Sequence, residues 1–226
     1  VKTISGDQFL KAAHLFEWAY LKHFNGWFTG SWERWKRAED LALRMVNKGE
    51  MVSEWFGHAK VYASLQKSRC IASRYPQNIY HGLGVTEGLV RLLRSDMTGT
   101  IIPSSWFRGL GAVPEFGIAY ENGSLLCFEF ETYENFYQKQ TEKIGRYTNH
   151  FTDIEQKFWK KPTVLFVADV TPEAISNYIL RYHPEGGFFF VDYQTFKSVP
   201  LGENLKAPLY LYGANGSIHP LRNANA

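Results

Sequence analysis

The feature that most constrains this chain is the run Val164-Leu165-Phe166-Val167-Ala168, five apolar residues with no polar alternation. A strand with one face in water alternates apolar and polar residues, so a strand without alternation has to be covered on both faces. The run is far too short to cross a bilayer. Thr171-Pro172 follows at once, in the order of a helix cap and a first-turn proline, and predicts a helix to Tyr182. A covered strand at Thr163–Val170 that leads into a helix points to an α/β layer structure with this strand in mid-sheet.

The surrounding residues extend that reading. Phe116–Tyr120 and Leu125–Phe130 flank Glu121-Asn122-Gly123-Ser124, whose Asn-Gly pair predicts a hairpin. A helix is expected over Tyr133–Tyr147, with further strands at Gly187–Asp192 and Leu209–Tyr212. Ahead of the hairpin, Gly84-Val85-Thr86 predicts a helix start capped by Thr86, with Leu89, Val90, Leu92 and Leu93 on its apolar face.

The first third of the chain is patterned differently. Ser5 or Asp7 caps a helix reaching about Phe24, where Asn25-Gly26 is expected to stop it. A second helical region runs from Ser31 through Trp32, Trp35, Ala38, Leu41, Ala42 and Met45 to a glycine stop at Asn47-Lys48-Gly49. Met51–Phe56 and Ala59–Ala63 surround Gly57-His58 and predict a second hairpin. The mixed, proline-containing stretch Ser68–Asn78 reads as a linker, which divides the chain into domains at 1–75 and 79–222.

Charge is unevenly shared between these parts. The formal net charge is +3, but residues 1–75 hold twelve Lys/Arg against seven Asp/Glu and the remainder is mildly acidic. A basic segment of this kind suits a polyanion-binding module, although an excess of five over that length is moderate and decides nothing alone. Cys70 and Cys127 form no CxxC or Cys/His array, so neither a disulfide framework nor a zinc site is expected. Val1–Phe9 has no leader pattern, and a cytoplasmic protein with no membrane partner is expected. There is no phosphate-binding G-x-x-x-x-G-K-[ST] run, and none of the seven histidines forms the His-hydrophobic-His pair of a rolling-circle nickase. His58 reads as a turn residue. Trp32, Trp35 and Trp55 fall at helical or strand spacing, which favours core packing over base stacking.

Helix, basic helix ending in Leu-x-x-Met-Val-x-Lys-Gly, strand, turn and Lys-Val-Tyr strand resemble a winged-helix DNA-binding domain. The resemblance implies that the helix before the wing enters the major groove of double-stranded DNA. Phosphate contacts are then expected from Arg34, Lys36, Arg37, Arg44, Lys48 and Lys60. A separate short helix ahead of the recognition helix is not evident, and Trp32-Glu33-Arg34-Trp35 is the segment available to supply it.

The second part looks like the restriction-endonuclease-like core, the PD-(D/E)xK superfamily: helix, hairpin, helix, central strand, helix and further strands in a mixed sheet. Pro114-Glu115 stands where that superfamily places its Pro-Asp or Pro-Glu, and Glu129-Phe130-Glu131 where it places (D/E)-x-K. Residues two apart in a strand share a face, so Glu129 and Glu131 project together and Glu115 can meet them across the hairpin. The resemblance implies catalytic roles for Glu115, Glu129, Glu131 and Lys143, with Glu115 and Glu129 as ligands of a magnesium or manganese ion that activates water. Glu131 takes the place of the lysine, and Lys143 on the following helix is the candidate for its charge-stabilising role. Glu87 matches the acidic residue that the preceding helix sometimes contributes. A solvated sheet face accounts for the same carboxylates without any site.

The whole order, through Lys143-Ile144-Gly145-Arg146-Tyr147 to Pro208-Leu209-Tyr210-Leu211-Tyr212, is similar to the replication-relaxation family of plasmid and mobile-element proteins. That resemblance implies action in replication, its control or transfer, with replication or transfer proteins as partners. Glu131 stands where an aspartate is expected. Two readings follow: a DNA-binding protein with a degenerate nuclease-like domain, or an endonuclease targeted by its winged helix. A protein-interaction scaffold is a third.

Overall fold

The computed structural model describes residues 4–29, 36–68, 75–94, 99–182, 187–198, 209–213 and 218–221. It is a mixed α/β structure that divides into two compact units, Val1–Ser95 and Asp96–Ala226.

In the first unit, α1 (Gly6–Leu15) starts at a reciprocal cap in which the Ser5 hydroxyl accepts from Gln8 N–H and the Gln8 side chain accepts from Ser5 N–H. The expected helix to Phe24 does not run through. Phe16 is already extended, and Ala19 pairs antiparallel with Tyr62 through two 2.9 Å backbone hydrogen bonds. A new helix, α2 (Leu21–Thr29), then passes straight through Asn25-Gly26. Tertiary contact overrides local propensity here, because Asn25 and its neighbours His23 and Phe24 are buried. Helix α2 is thus a separate helix ahead of α3; the segment Trp32-Glu33-Arg34-Trp35 lies outside the described residues.

Helix α3 (Lys36–Asn47) buries Ala38, Leu41, Ala42 and Met45, and Gly49 ends it at φ +70 with its N–H on Val46 O. Strands β1 (Met51–Phe56) and β2 (Ala59–Ser64) form the expected hairpin, turning at Gly57, whose φ of +60 suits a two-residue turn. A single turn, α4 (Leu65–Ser68), follows. Next comes α5 (Pro76–Arg94), which begins well before the predicted start at Gly84. Thr86 is not its cap but lies mid-helix, buried, with its hydroxyl accepting from Glu17 N–H. The hairpin explains why α5 belongs to this unit. Its residues Val61 and Ala63, on one face of the hairpin, pack with Trp18 and with Ile79 and Leu83 of α5, which covers that face. The domain edge expected at Ser68–Asn78 therefore gives way to one after α5.

The second unit is built on a seven-stranded sheet in the order β3-β4-β5-β6-β7-β8-β9. Strands β3 (Thr100–Pro103), β4 (Phe116–Ala119) and β5 (Ser124–Glu131) form an antiparallel meander. Helix α6 (Tyr133–Phe158) crosses over to β6 (Lys161–Ala168), which pairs parallel with β5, and α7 (Pro172–Tyr182) leads to β7 (Phe188–Asp192), parallel to β6. Helix α8 (Tyr193–Ser198) and the antiparallel strands β8 (Leu209–Gly213) and β9 (Ile218–Leu221) complete it. The apolar run sits in mid-sheet as its sequence demands. Val164 and Phe166 face α6 and α7, while Phe128 and Phe130 of β5, on the other face, pack against Phe196 and Tyr193 of α8. Among the described residues no helix is long and apolar enough to cross a membrane.

Candidate functional site

Strand β5 sets up the site in the second unit. Leu125 and Cys127 point into the core beneath α6, and period-two alternation carries Glu129 and Glu131 onto the same face. Both carboxylates are buried, at 2% and 0% exposure, so they are not part of a solvated sheet face. Helix α6 supplies their partners. The Lys143 ammonium donates to Glu129 Oε2 at 2.9 Å and to Glu131 Oε1 at 2.5 Å. One turn on, the Tyr147 hydroxyl donates to Glu129 Oε1 at 2.6 Å. Glu115 precedes β4, and its N–H donates to Phe128 O, which puts it opposite Glu129 across the hairpin.

Two anions and one cation in a dry place leave the cluster out of balance. Burial pushes the Glu129 carboxyl up to about 7; Lys143 pulls against this, the charge of Glu115 adds to it, and the Tyr147 bond opposes it. Burial also works against the Lys143 ammonium, but Glu129 and Glu131 outweigh it and hold its pKa above the usual lysine value. The Tyr147 phenol is raised by burial first and by the Glu129 charge second.

The four residues named from the sequence thus come to one region: Glu129, Glu131 and Lys143 in direct contact, with Glu115 beside them. Two further polar residues of α6 were given no role by the sequence reading. Tyr147, which the sequence shows only as the end of the run Lys143–Tyr147 with no role attached, is spaced four from Lys143, which places both on one helix face. Gln140, seven residues before Tyr147 and so on the same stripe, is 1% exposed, and neither atom of its amide has a hydrogen-bond partner among the described residues.

The donor set as placed does not suit a divalent ion. Lys143 takes one oxygen of each carboxylate, and among the described residues no group of three or more His, Cys, Asp or Glu is arranged to hold a metal. Glu87 is not part of this site. It lies in the first unit, where His23 Nε2 donates to Glu87 Oε2 at 2.7 Å and Arg91 donates to Oε1 at 2.6 Å. Tyr20 N–H donates to His23 Nδ1, which assigns the imidazole proton to Nε2 and makes the ring neutral. Burial lowers the His23 pKa in keeping with that. Burial would raise Glu87, but His23 and Arg91 overcome it and hold the carboxyl down at about 2.

The surface expected to meet DNA is built by α3 and the hairpin. Arg44, Lys48 and Lys60 are exposed. Lys36 and Arg37 open α3, while Arg34, Trp32 and Trp35 lie outside the described residues. His58 is exposed in its turn. Trp55 is not a core residue as its strand spacing suggested; it is 68% exposed, one residue from the end of β1 at the tip of the hairpin.

No family model, curated protein or solved structure matches this chain.

Proposed function

We propose that this chain is a DNA-binding protein whose first unit is a winged-helix module and whose second unit is a nuclease-like scaffold that does not cut. The DNA-binding reading draws on the element order of the first unit: α1, the Ala19 bridge, α2, α3 and the β1–β2 hairpin, with Arg44, Lys48 and Lys60 turned to solvent. The nuclease-like reading draws on the meander β3-β4-β5, the crossover α6 and the parallel β6, with Pro114-Glu115 ahead of β4 and Glu129-x-Glu131 on β5. The loss of cutting rests on one observation, the Lys143 ammonium seated on both carboxylates. The resemblance to the replication-relaxation family supplies the setting: replication, its control or transfer of a plasmid or mobile element, alongside replication or transfer proteins.

Titrating labelled duplex with the full chain across a salt series tests this. Neutralising a handful of phosphates gives a log–log slope of roughly −3 to −6, and the triple change Arg44→Ala, Lys48→Ala, Lys60→Ala should flatten it by about 2–3. Salt-independent or absent binding defeats the reading. The same reactions with Mg²⁺ or Mn²⁺ should leave the DNA intact. The convergence of Glu115, Glu129, Glu131 and Lys143 favours a second reading, a metal-dependent endonuclease. Cleavage by the wild type that Glu129→Ala abolishes would establish it in place of the scaffold.

A further inference from the structure

The first unit holds a large apolar ring in water where its own core has no use for it. Trp55 lies directly across the hairpin from Lys60, whose ammonium is 5.4 Å from the ring centroid. Together they form one wall of an open groove of about 790 Å³, lined also by Tyr20, Lys22, Glu39 and Tyr62. Lys22 in turn places its ammonium 5.3 Å from the Tyr20 ring. That volume falls within the range of small-ligand sites.

The lining has a particular chemistry. Aromatic faces accept a flat π-system, and every nucleobase has one. The ammonium groups at the rim suit a phosphate. Glu39 is an acceptor for an exocyclic base amine, which carboxylates bind through its N–H. An acidic peptide would satisfy the lysines and leave the aromatic walls unused. A paired base within a duplex has both faces hidden by its neighbours, so only an unpaired nucleotide can lie against Trp55.

We propose that this groove receives an unpaired nucleotide of DNA, so that the protein prefers a duplex ending in a single strand over a blunt duplex. The inference rests on the DNA-binding reading above and adds the form of DNA that it takes.

The test compares the full chain on two labelled DNAs of the same duplex sequence, one blunt and one with a short single-stranded overhang, at one salt concentration. Stacking of one base corresponds to roughly a tenfold preference for the overhang. Trp55→Ala should erase that preference while blunt-duplex affinity stays near wild type, and Trp55→Phe should retain part of it. Trp55 is exposed, so both variants should keep the wild-type far-UV dichroism. Equal wild-type affinity for the two DNAs overturns the proposal and leaves the DNA-binding reading standing. So does an undiminished preference in Trp55→Ala, or an equal loss on both DNAs. Absence of binding to either DNA overturns the DNA-binding reading and the groove with it.

Discussion

Among the described residues each unit buries an ionic cluster, and the two are built on opposite plans. In the first unit a single carboxylate, Glu87, meets a guanidinium from Arg91 and a neutral imidazole N–H from His23. Charge cancels, and every partner is a donor. In the second unit two carboxylates share one ammonium, one of them also takes a phenol, and a third carboxylate stands opposite. The first arrangement favours its charged form and ties α2 to α5. The second raises a carboxyl pKa to about 7, and on the helix that covers it Gln140 is buried with no hydrogen-bond partner among the described residues. Local rules are broken in the second cluster and kept in the first, which is the pattern that separates a site from a staple.

The largest effect that can break this comparison comes from removing the shared cation. Lys143→Met keeps the apolar stem but leaves Glu129 and Glu131 buried without an ammonium. Breaking a buried pair in this way costs about 3–5 kcal/mol. The cost should shrink at pH 5, where a carboxyl with a pKa near 7 takes up a proton instead. Chemical denaturation at pH 5 and pH 8 reads both numbers. A variant as stable as wild type at pH 8 would mean that the carboxylates do not depend on Lys143.

The second prediction concerns pH and has opposite signs in the two units. The folded-state pKa of Glu129 is raised from the ordinary carboxyl value of 4.5 to about 7. Its contribution to stability is therefore full below about pH 4.5 and is lost as pH rises through 7. Glu87 is lowered from 4.5 to about 2, so its contribution is present above about pH 4.5 and lost as pH falls towards 2. A shift of this size corresponds to roughly 3 kcal/mol in each case. Hydrogen exchange, corrected for intrinsic rates, should show β5 and α6 gaining protection from pH 8 to pH 5. The α2 and α5 peptides should hold steady there and lose protection only below about pH 4. Glu129→Gln should flatten the first profile and leave the second alone. Parallel profiles in the two units would erase the contrast.

The same contrast marks what the sequence made legible. The resemblance to PD-(D/E)xK proteins singled out Glu115, Glu129, Glu131 and Lys143, and their convergence was legible because strand period and hairpin pairing are local and leave a pattern in the chain. Charge balance among them is not local. Nothing in Glu129-Phe130-Glu131 says that both carboxylates are buried, or that one ammonium serves both. The staple was invisible for a related reason: His23 and Glu87 are 64 residues apart, and only the packing of α5 against α2 joins them. That packing also misled the domain boundary and the start of α5. A proline-containing stretch before an amphipathic helix looks like a linker until the uncovered face of the hairpin is taken into account. Trp55 failed in the opposite direction. Strand spacing placed it in the right hairpin, but spacing carries no information on how far along a hairpin burial extends.

The smallest effect is the sharpest test of the frustrated cluster, and it needs only one oxygen atom. Tyr147→Phe removes the phenol that donates to Glu129 Oε1 at 2.6 Å and leaves the ring packed against Phe166 and Phe188. A hydrogen bond to a charged group contributes about 1.5–3 kcal/mol, so the variant should lose about that much above pH 7. Below about pH 5 the Glu129 carboxyl is protonated, the bond no longer serves a charge, and the loss should fall to about 1 kcal/mol or less. Because the phenol favours the charged carboxylate, its removal should also move the Glu129 midpoint upward from about 7, read by carbon-13 NMR of the labelled carboxyl. Tyr178→Phe is the control. Its hydroxyl meets Thr141 Oγ1 at 3.2 Å, a neutral partner in a part-buried place, so its cost should be small and independent of pH. A Tyr147→Phe loss that is equally flat across pH would show that Glu129 does not titrate in the folded protein. The second cluster would then be a staple like the first.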